Sequence, residues 1–202
     1  MTAAGFVLDP VAIQPGTWIS PDGIPVDLMV PEALSGPRGR RSARIPPHAT
    51  NAARRAVGLE AAVVDNQMIE IEALSADDQR SLQVRVAGLA ALLVSKLHKL
   101  GERRATPNRL LDKDAHDIYR LLVAWPTDDL AETLTRLLND DLAGAVTTAA
   151  LGYLQELFAD SPTALGSEMA GRAETGVGVP STVAASVSIL ATDLIAAVSP
   201  PG

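Results

Sequence analysis

Lys96, Asp114 and Asp117 are the residues whose types and spacing could do chemistry together. Leu89, Leu92, Leu93, Leu97 and Leu100 recur at the three-and-four spacing of one helix face, and Lys96 falls on that face. An unpaired ammonium among leucines is costly, so Lys96 must reach water along its own stem or find an anion. After a break at Pro107, Asp114, Ile118, Leu121 and Leu122 share the face of a second helix, with Asp117 on the same side. Two helices thus carry charge on or beside their inward stripes. Simpler explanations stand beside this one: Asp112 or Asp114 as a helix cap or dipole partner, worth about 1 kcal/mol and no chemistry, and Lys96 as a lysine that snorkels past its leucines.

Asp27 is the next candidate. In the run IPVDLMVP it has apolar neighbours on both sides, and alternation puts it on the face opposite Val26 and Leu28. If that face meets solvent the residue is trivial; if it meets a cleft, Asp27 is a ligand or a base. The loop 31–47 carries Arg38, Arg40, Arg41 and Arg44 among Pro, Gly and Ser. Guanidinium forks match phosphate oxygens, although such clusters are more often solvated segments. His48, His98 and His116 show no ligand spacing, so a metal-dependent hydrolase finds little support, and His98 and His116 read as partly exposed helix residues.

The elements that must position these residues follow from periodicity and turn signals. Residues 6–13 and 17–19 are short apolar runs broken by Pro10 and Pro15, as in edge strands. Ser20-Pro21-Asp22-Gly23 is a turn, and residues 24–30 are expected to return as a strand. Residues 51–57 suit a short helix, 59–64 a strand, Asp65-Asn66 a turn, and 68–73 a strand with Ile69 and Ile71 inward. Leu82, Val84 and Val86 alternate with polar residues in a further strand. After Gly88 everything reads as helix. One helix starts at Thr127, one carries a stripe of Leu142, Val146, Ala149, Tyr153, Leu157 and Phe158, and a last one, capped by Ser181, aligns Val183, Val187, Leu190, Leu194 and Val198 to dock on the domain or serve a partner. The expected fold is therefore α+β: a small, mostly antiparallel or mixed sheet over residues 6–86, followed by a helical half over 88–198.

Composition narrows the function classes. The chain has 202 residues, enough for one ordinary domain with an appendage. With only 3% aromatic residues, its core must be aliphatic, and a net charge of -7 disfavours non-specific attraction to nucleic acid. The absence of cysteine excludes disulfides and thiolate chemistry. No charged-then-apolar leader is evident and no apolar run is read as a membrane span, so the expected setting is the cytoplasm.

The segment VSKLHKLGERRATPNRLLDKDAHDIYRLL, taken with the strand acid, resembles the nucleotidyltransferases of the bacterial AbiEii abortive-infection type, toxins of toxin–antitoxin pairs. The shared features are a lysine on a leucine-rich helix, an arginine-containing turn and a helix start of the Lys-Asp-x-x-Asp kind, here Lys96, Arg103 or Arg104, and Lys113-Asp114-Ala115-His116-Asp117-Ile118. The resemblance covers about residues 24–122. It implies a polymerase-β-like nucleotidyltransferase fold and Mg²⁺-dependent transfer of a nucleotide from a nucleoside triphosphate to an acceptor such as tRNA or protein, with an antitoxin or other protein as a partner. By position, Lys96 would hold the triphosphate, Asp114 would orient it or the lysine, and Asp27 would be the sheet carboxylate and a metal ligand. Lys113, Arg103, Arg104 and Asp117 would line the nucleotide phosphates.

The family's opening signature, a Gly-Ser or Gly-Gly turn followed by an Asp-x-Asp pair, is expected upstream of the Asp27 strand and is not in this sequence. The expectation is thus a nucleotidyltransferase-like domain over 1–125, N-terminally incomplete or degenerate, with a helical extension over 126–175 and a linker plus helix over 176–202. The rival expectation is a non-catalytic interaction domain that uses its C-terminal helices.

Overall fold

The computed structural model describes residues 1–36 and 41–198. The chain forms two compact units, Met1–Glu60 and Ala61–Gly202. The boundaries expected near 125 and 176 fall inside the second unit. The class is α+β, with strands mostly in the first half and helices after them.

In the first unit β1 (Val7–Leu8), β2 (Thr17–Ile19) and β3 (Pro25–Asp27) make an antiparallel sheet in the order β1-β2-β3. The expected turn closes β2 onto β3: the Gly23 amide donates to the Ser20 carbonyl and Gly23 takes a positive φ of 79°. The strand expected over 24–30 is instead split. Leu28 breaks it, donating its amide to Gly16 O at 2.7 Å and accepting from Arg54 N at 2.8 Å. The chain then passes to a second sheet, where β4 (Met29–Pro31) runs parallel to β5 (Arg54–Ala56). Only glycine fits at position 16, because a Cβ there would lie 2.4 Å from the Leu28 carbonyl oxygen and φ is +89°.

Two local expectations fail here for the same reason. Residues 51–57 do not form a helix, because Arg54, Arg55 and Ala53 find backbone partners at Leu28, Arg41 and Ala43. Long-range pairing overrides the helix preference of Ala and Arg. Residues 59–64 do not form a strand but a helical turn, α1 (Glu60–Val64). The Glu60 carboxylate accepts the Gly58 amide at 2.8 Å and the Ala33 amide at 3.0 Å, which fixes the chain as it enters the helix. Trp18 is the main apolar anchor of this unit, buried with its indole N–H on Ala52 O at 2.8 Å.

The second unit opens with the hairpin β6 (Asn66–Glu72) and β7 (Ser81–Ala87), in which Ile69 faces Val84 and Ile71 faces Leu82. Ile69 is half-buried but Ile71 stays exposed. One residue, Gly88, joins β7 to α2 (Leu89–Gly101). The Asp65 carboxylate accepts the Ala91 amide at 3.0 Å and occupies the space that a Cβ on Gly88 would need. It therefore supplies the start of α2 with the acceptor that Gly88 lacks.

Five helices follow: α3 (Asp112–Ala124), α4 (Thr127–Leu138), α5 (Gly144–Leu157), α6 (Leu165–Ala173) and α7 (Pro180–Ala197). Their shared core is aliphatic, as the composition requires: Leu93, Leu97, Leu100, Ile118, Leu134, Leu137, Leu154 and Leu194 are all buried, with Phe158 as its one large aromatic. The α5 stripe is rotated from expectation. Thr147, Ala150, Leu154 and Leu157 are buried while Ala149 is exposed, and the Thr147 hydroxyl is satisfied by Ala143 O at 2.8 Å. Bonding to its own helix lets that hydroxyl enter the core.

Ser181 does not cap α7. Val179 precedes the helix, with Pro180 in its first turn. Contrary to the sequence expectation, α7 is long and apolar enough to cross a membrane by length and composition. Six of its 18 residues are buried, Val183, Val187 and Leu194 among them in the shared core. The stripe of α7 thus docks on the second unit.

Candidate functional site

The charged residues singled out on α2 and α3 meet, with one partner exchanged. Lys96 was expected over Asp114; its Nζ instead donates to Asp117 Oδ2 at 2.5 Å. Asp114 is taken by two residues further along the chain, Lys99 Nζ of α2 at 2.6 Å and Arg103 Nη1, in the turn just past α2, at 3.3 Å. Lys96 and Lys99 are three apart on one side of α2 and Arg103 follows in the turn after the helix, so the three form a row that faces the acids of α3. Of the leucines expected in one inward stripe, Leu93, Leu97 and Leu100 turn into the core, whereas Leu92, one turn before Lys96, is exposed. This explains how Lys96 sits in a leucine stripe, at its edge with its head on an acid.

Exposure divides the row. The Asp114 side chain is only 2% exposed, whereas Lys99 and Arg103 are 37% and 24% exposed. Lys96 and Asp117 are 32% and 38% exposed. A buried carboxylate with two half-exposed cations above it is an anchored base of positive charge, each cation keeping donors that face solvent. Lys113 and Arg120 are exposed on α3, and the charge of Arg120 is felt at Asp117. Lys99 is the member that sequence reasoning missed. Its spacing of three from Lys96 and four to Arg103 was the available signal.

The other candidates lie elsewhere. Arg104 turns toward α5: it donates to Gly101 O at 2.6 Å, pairs with Glu156 at 3.0 Å and lies 5.1 Å from the Tyr153 ring centroid. Asp112 is held by Arg172 of α6 at 2.8 Å, so it braces two helices. His98 is buried rather than partly exposed, its ring nitrogen 2.8 Å from Val146 O and its ring edge-on to Tyr153. His116 is half-buried against Glu174 at 2.8 Å. Asp27 belongs to the first unit and is exposed; it accepts the Thr17 hydroxyl at 2.7 Å and lies 3.5 Å from Arg54. Arg38 and Arg40 lie outside the described residues, while Arg41, Arg44 and His48 are exposed.

The donor set does not suit Mg²⁺, which takes clustered oxygen ligands. Among the described residues there is no group of three or more His, Asp or Glu that could hold a metal ion. The oxygens of Asp114 are engaged by Lys99 and Arg103, and a cation at Asp27 would have to displace Arg54. A cavity of about 160 Å³ in the first unit is lined by Leu8, Asp9, Gln14, Thr17 and Asn51 among others, and by none of the candidate site residues.

The hydrogen bond from Lys96 holds the Asp117 carboxyl below its ordinary range, against a smaller opposing effect of desolvation. A carboxyl depressed in the folded state stabilises the fold above its unfolded value, about 3.9, and loses that contribution as pH falls through its folded value. Asp117→Asn is therefore expected to be less sensitive to acid than the wild type below about pH 4. Unfolding midpoints measured from pH 6 to pH 2 check this; parallel curves for the two proteins would contradict it.

No family model, curated protein or solved structure matches this chain.

Proposed function

We propose that the α2–α3 face binds the phosphates of a nucleotide, in a protein of the nucleotidyltransferase type. The observation that carries this reading is the row Lys96, Lys99 and Arg103: three cations on successive turns, fixed from below by Asp117 and Asp114, with their remaining donors toward solvent. Three positive groups over two carboxylates leave a surplus of positive charge. Fixed ammonium and guanidinium groups neutralise the oxygens of a triphosphate at little cost in reorganisation, which is the main requirement of phosphoryl-type transfer. The resemblance of residues 24–122 supports the same assignment for Lys96.

The test is nucleotide binding by calorimetry, with ATP, GTP, CTP and UTP each offered with and without Mg²⁺. At least one is expected to bind the wild type, and Lys96→Ala is expected to weaken it by about tenfold, the loss of one charge-assisted contact. Equal affinity in the two proteins would remove Lys96 from the site. Transfer of a labelled nucleotide to tRNA or to protein would then identify the acceptor class.

A second reading is favoured by one observation: each acid in the row already has its cation, so the pairs also suffice as a brace between two helices of an interaction domain. Wild type that binds no nucleotide, together with lower thermal stability in Lys96→Ala, would favour this reading.

A further inference from the structure

We propose that two copies of this chain associate through the outer edge of β7, joining their hairpins into one four-stranded antiparallel sheet.

The hydrogen bonds at its two ends fix which backbone groups are spent. Ala73 N donates to Arg80 O at 3.0 Å and Gly88 N donates to Asp65 O at 2.9 Å. In an antiparallel ladder bonded and non-bonded pairs alternate, so with the observed register the bonded pairs are Gln67–Val86, Ile69–Val84 and Ile71–Leu82. The amides and carbonyls of Met68, Glu70 and Glu72 therefore point outward from β6, and those of Ser81, Gln83, Arg85 and Ala87 outward from β7. Among the described residues neither edge has another strand beside it. Each strand runs for seven residues and contains neither proline nor lysine; the charges it has are Glu70 and Glu72 on β6 and Arg85 on β7.

Side chains make the two edges unequal. The face with the bonded pairs is apolar and poorly covered, with Ile71 51% and Leu82 63% exposed. On the opposite face β6 carries Glu70 and Glu72, so pairing β6 with a second β6 gathers four carboxylates, which repel. The β7 edge carries Ser81, Gln83 and Arg85, and Arg85 is drawn toward its own β6 by Asn66 at 2.9 Å. A two-fold axis at Val84 uses the whole strand. It sets Gln83 across from Arg85 of the other copy, Leu82 across from Val86, and Val84 across from itself. The polar row then meets a complementary donor and acceptor, the apolar row is extended, and the symmetry closes at two copies, whereas β6 against β7 would propagate.

The experiment compares the intact chain at low and high concentration by sedimentation and by amide hydrogen exchange. The expected species at high concentration has twice the 21.1 kDa chain mass. Protection of the Gln83 and Arg85 amides should rise with concentration, while Met68 and Glu70 exchange fast throughout. Gln83→Pro removes an outward amide without touching a bond of the hairpin and should give monomer; Met68→Pro makes the same change on the acidic edge and should leave the dimer. A wild type that stays monomeric, or a dimer whose Gln83 and Arg85 amides remain unprotected, overturns the proposal. So does a dimer that survives Gln83→Pro or that is lost in Met68→Pro alone. The exchange measurement decides the matter even if both proline variants fail to fold.

Discussion

Phe158→Ala is expected to lower the unfolding free energy of the second unit by about 3–5 kcal/mol. Phe158 is fully buried and is the bulkiest side chain in the core. Its surroundings cannot close over the space it would leave. Gly166 at the start of α6 lies against the ring edge, where a Cβ would come within 2.6 Å of Cζ. The Phe158 carbonyl is bound by the Ser167 hydroxyl at 3.0 Å, so the backbone on both sides is fixed. Cavity cost depends on how far a site can collapse, and this one is pinned. Urea unfolding followed by circular dichroism gives the number, and a loss below about 1 kcal/mol would mean that the ring is not a keystone of the core. Phe158→Ala combined with Gly166→Ala should be less damaging than the sum of the two, because the clash of the added methyl with the ring is gone and only that with the Leu157 carbonyl oxygen remains.

Asp114→Ala is the second large effect expected, a loss of about 2–4 kcal/mol against less than about 1 kcal/mol for Asp117→Ala. The two acids lie one turn apart on the same helix and each holds lysine, so local sequence does not distinguish them. Burial does. Asp114 is enclosed and anchors both Lys99 and Arg103, and its removal leaves two cations side by side without their counter-charge. Asp117 is half-exposed and its lysine can turn to water. Unfolding of Asp114→Ala, of Lys99→Ala and of the two combined measures the coupling directly. Equal costs for Asp114→Ala and Asp117→Ala would contradict the burial argument.

These two positions also show how far the sequence could be read. Helices were legible wherever leucines repeat over three turns, as in α2 and α4, because a long amphipathic pattern has one low-energy solution. The hairpin strand β7 was legible from the alternation of Leu82, Val84 and Val86. Legibility ended where partners come from far along the chain. Residues 54–56 became a parallel strand because Leu28 offers its carbonyl, and residues 60–64 became a helix with Glu60 bonded to Gly58 and Ala33. Local propensity carries no trace of either contact. The charged row was half legible: periodicity put Lys96 and Asp114 on facing helices, but a one-turn offset between α2 and α3 decided which lysine met which acid. That offset is set by packing of the leucines and Ile118, and no single helix encodes it.

Asp65 gives the corner between hairpin and helix a mechanical character. Its main-chain carbonyl binds Gly88, its carboxylate binds Ala91, and Arg136 of α4 approaches that carboxylate at 3.7 Å. With a single residue between β7 and α2 and both sides of the joint tied to one residue, by its main chain on one side and its carboxylate on the other, the hairpin has little slack to swing by itself. A torque on its tip turns the axis of α2, and the ammonium groups of Lys96 and Lys99 travel with it.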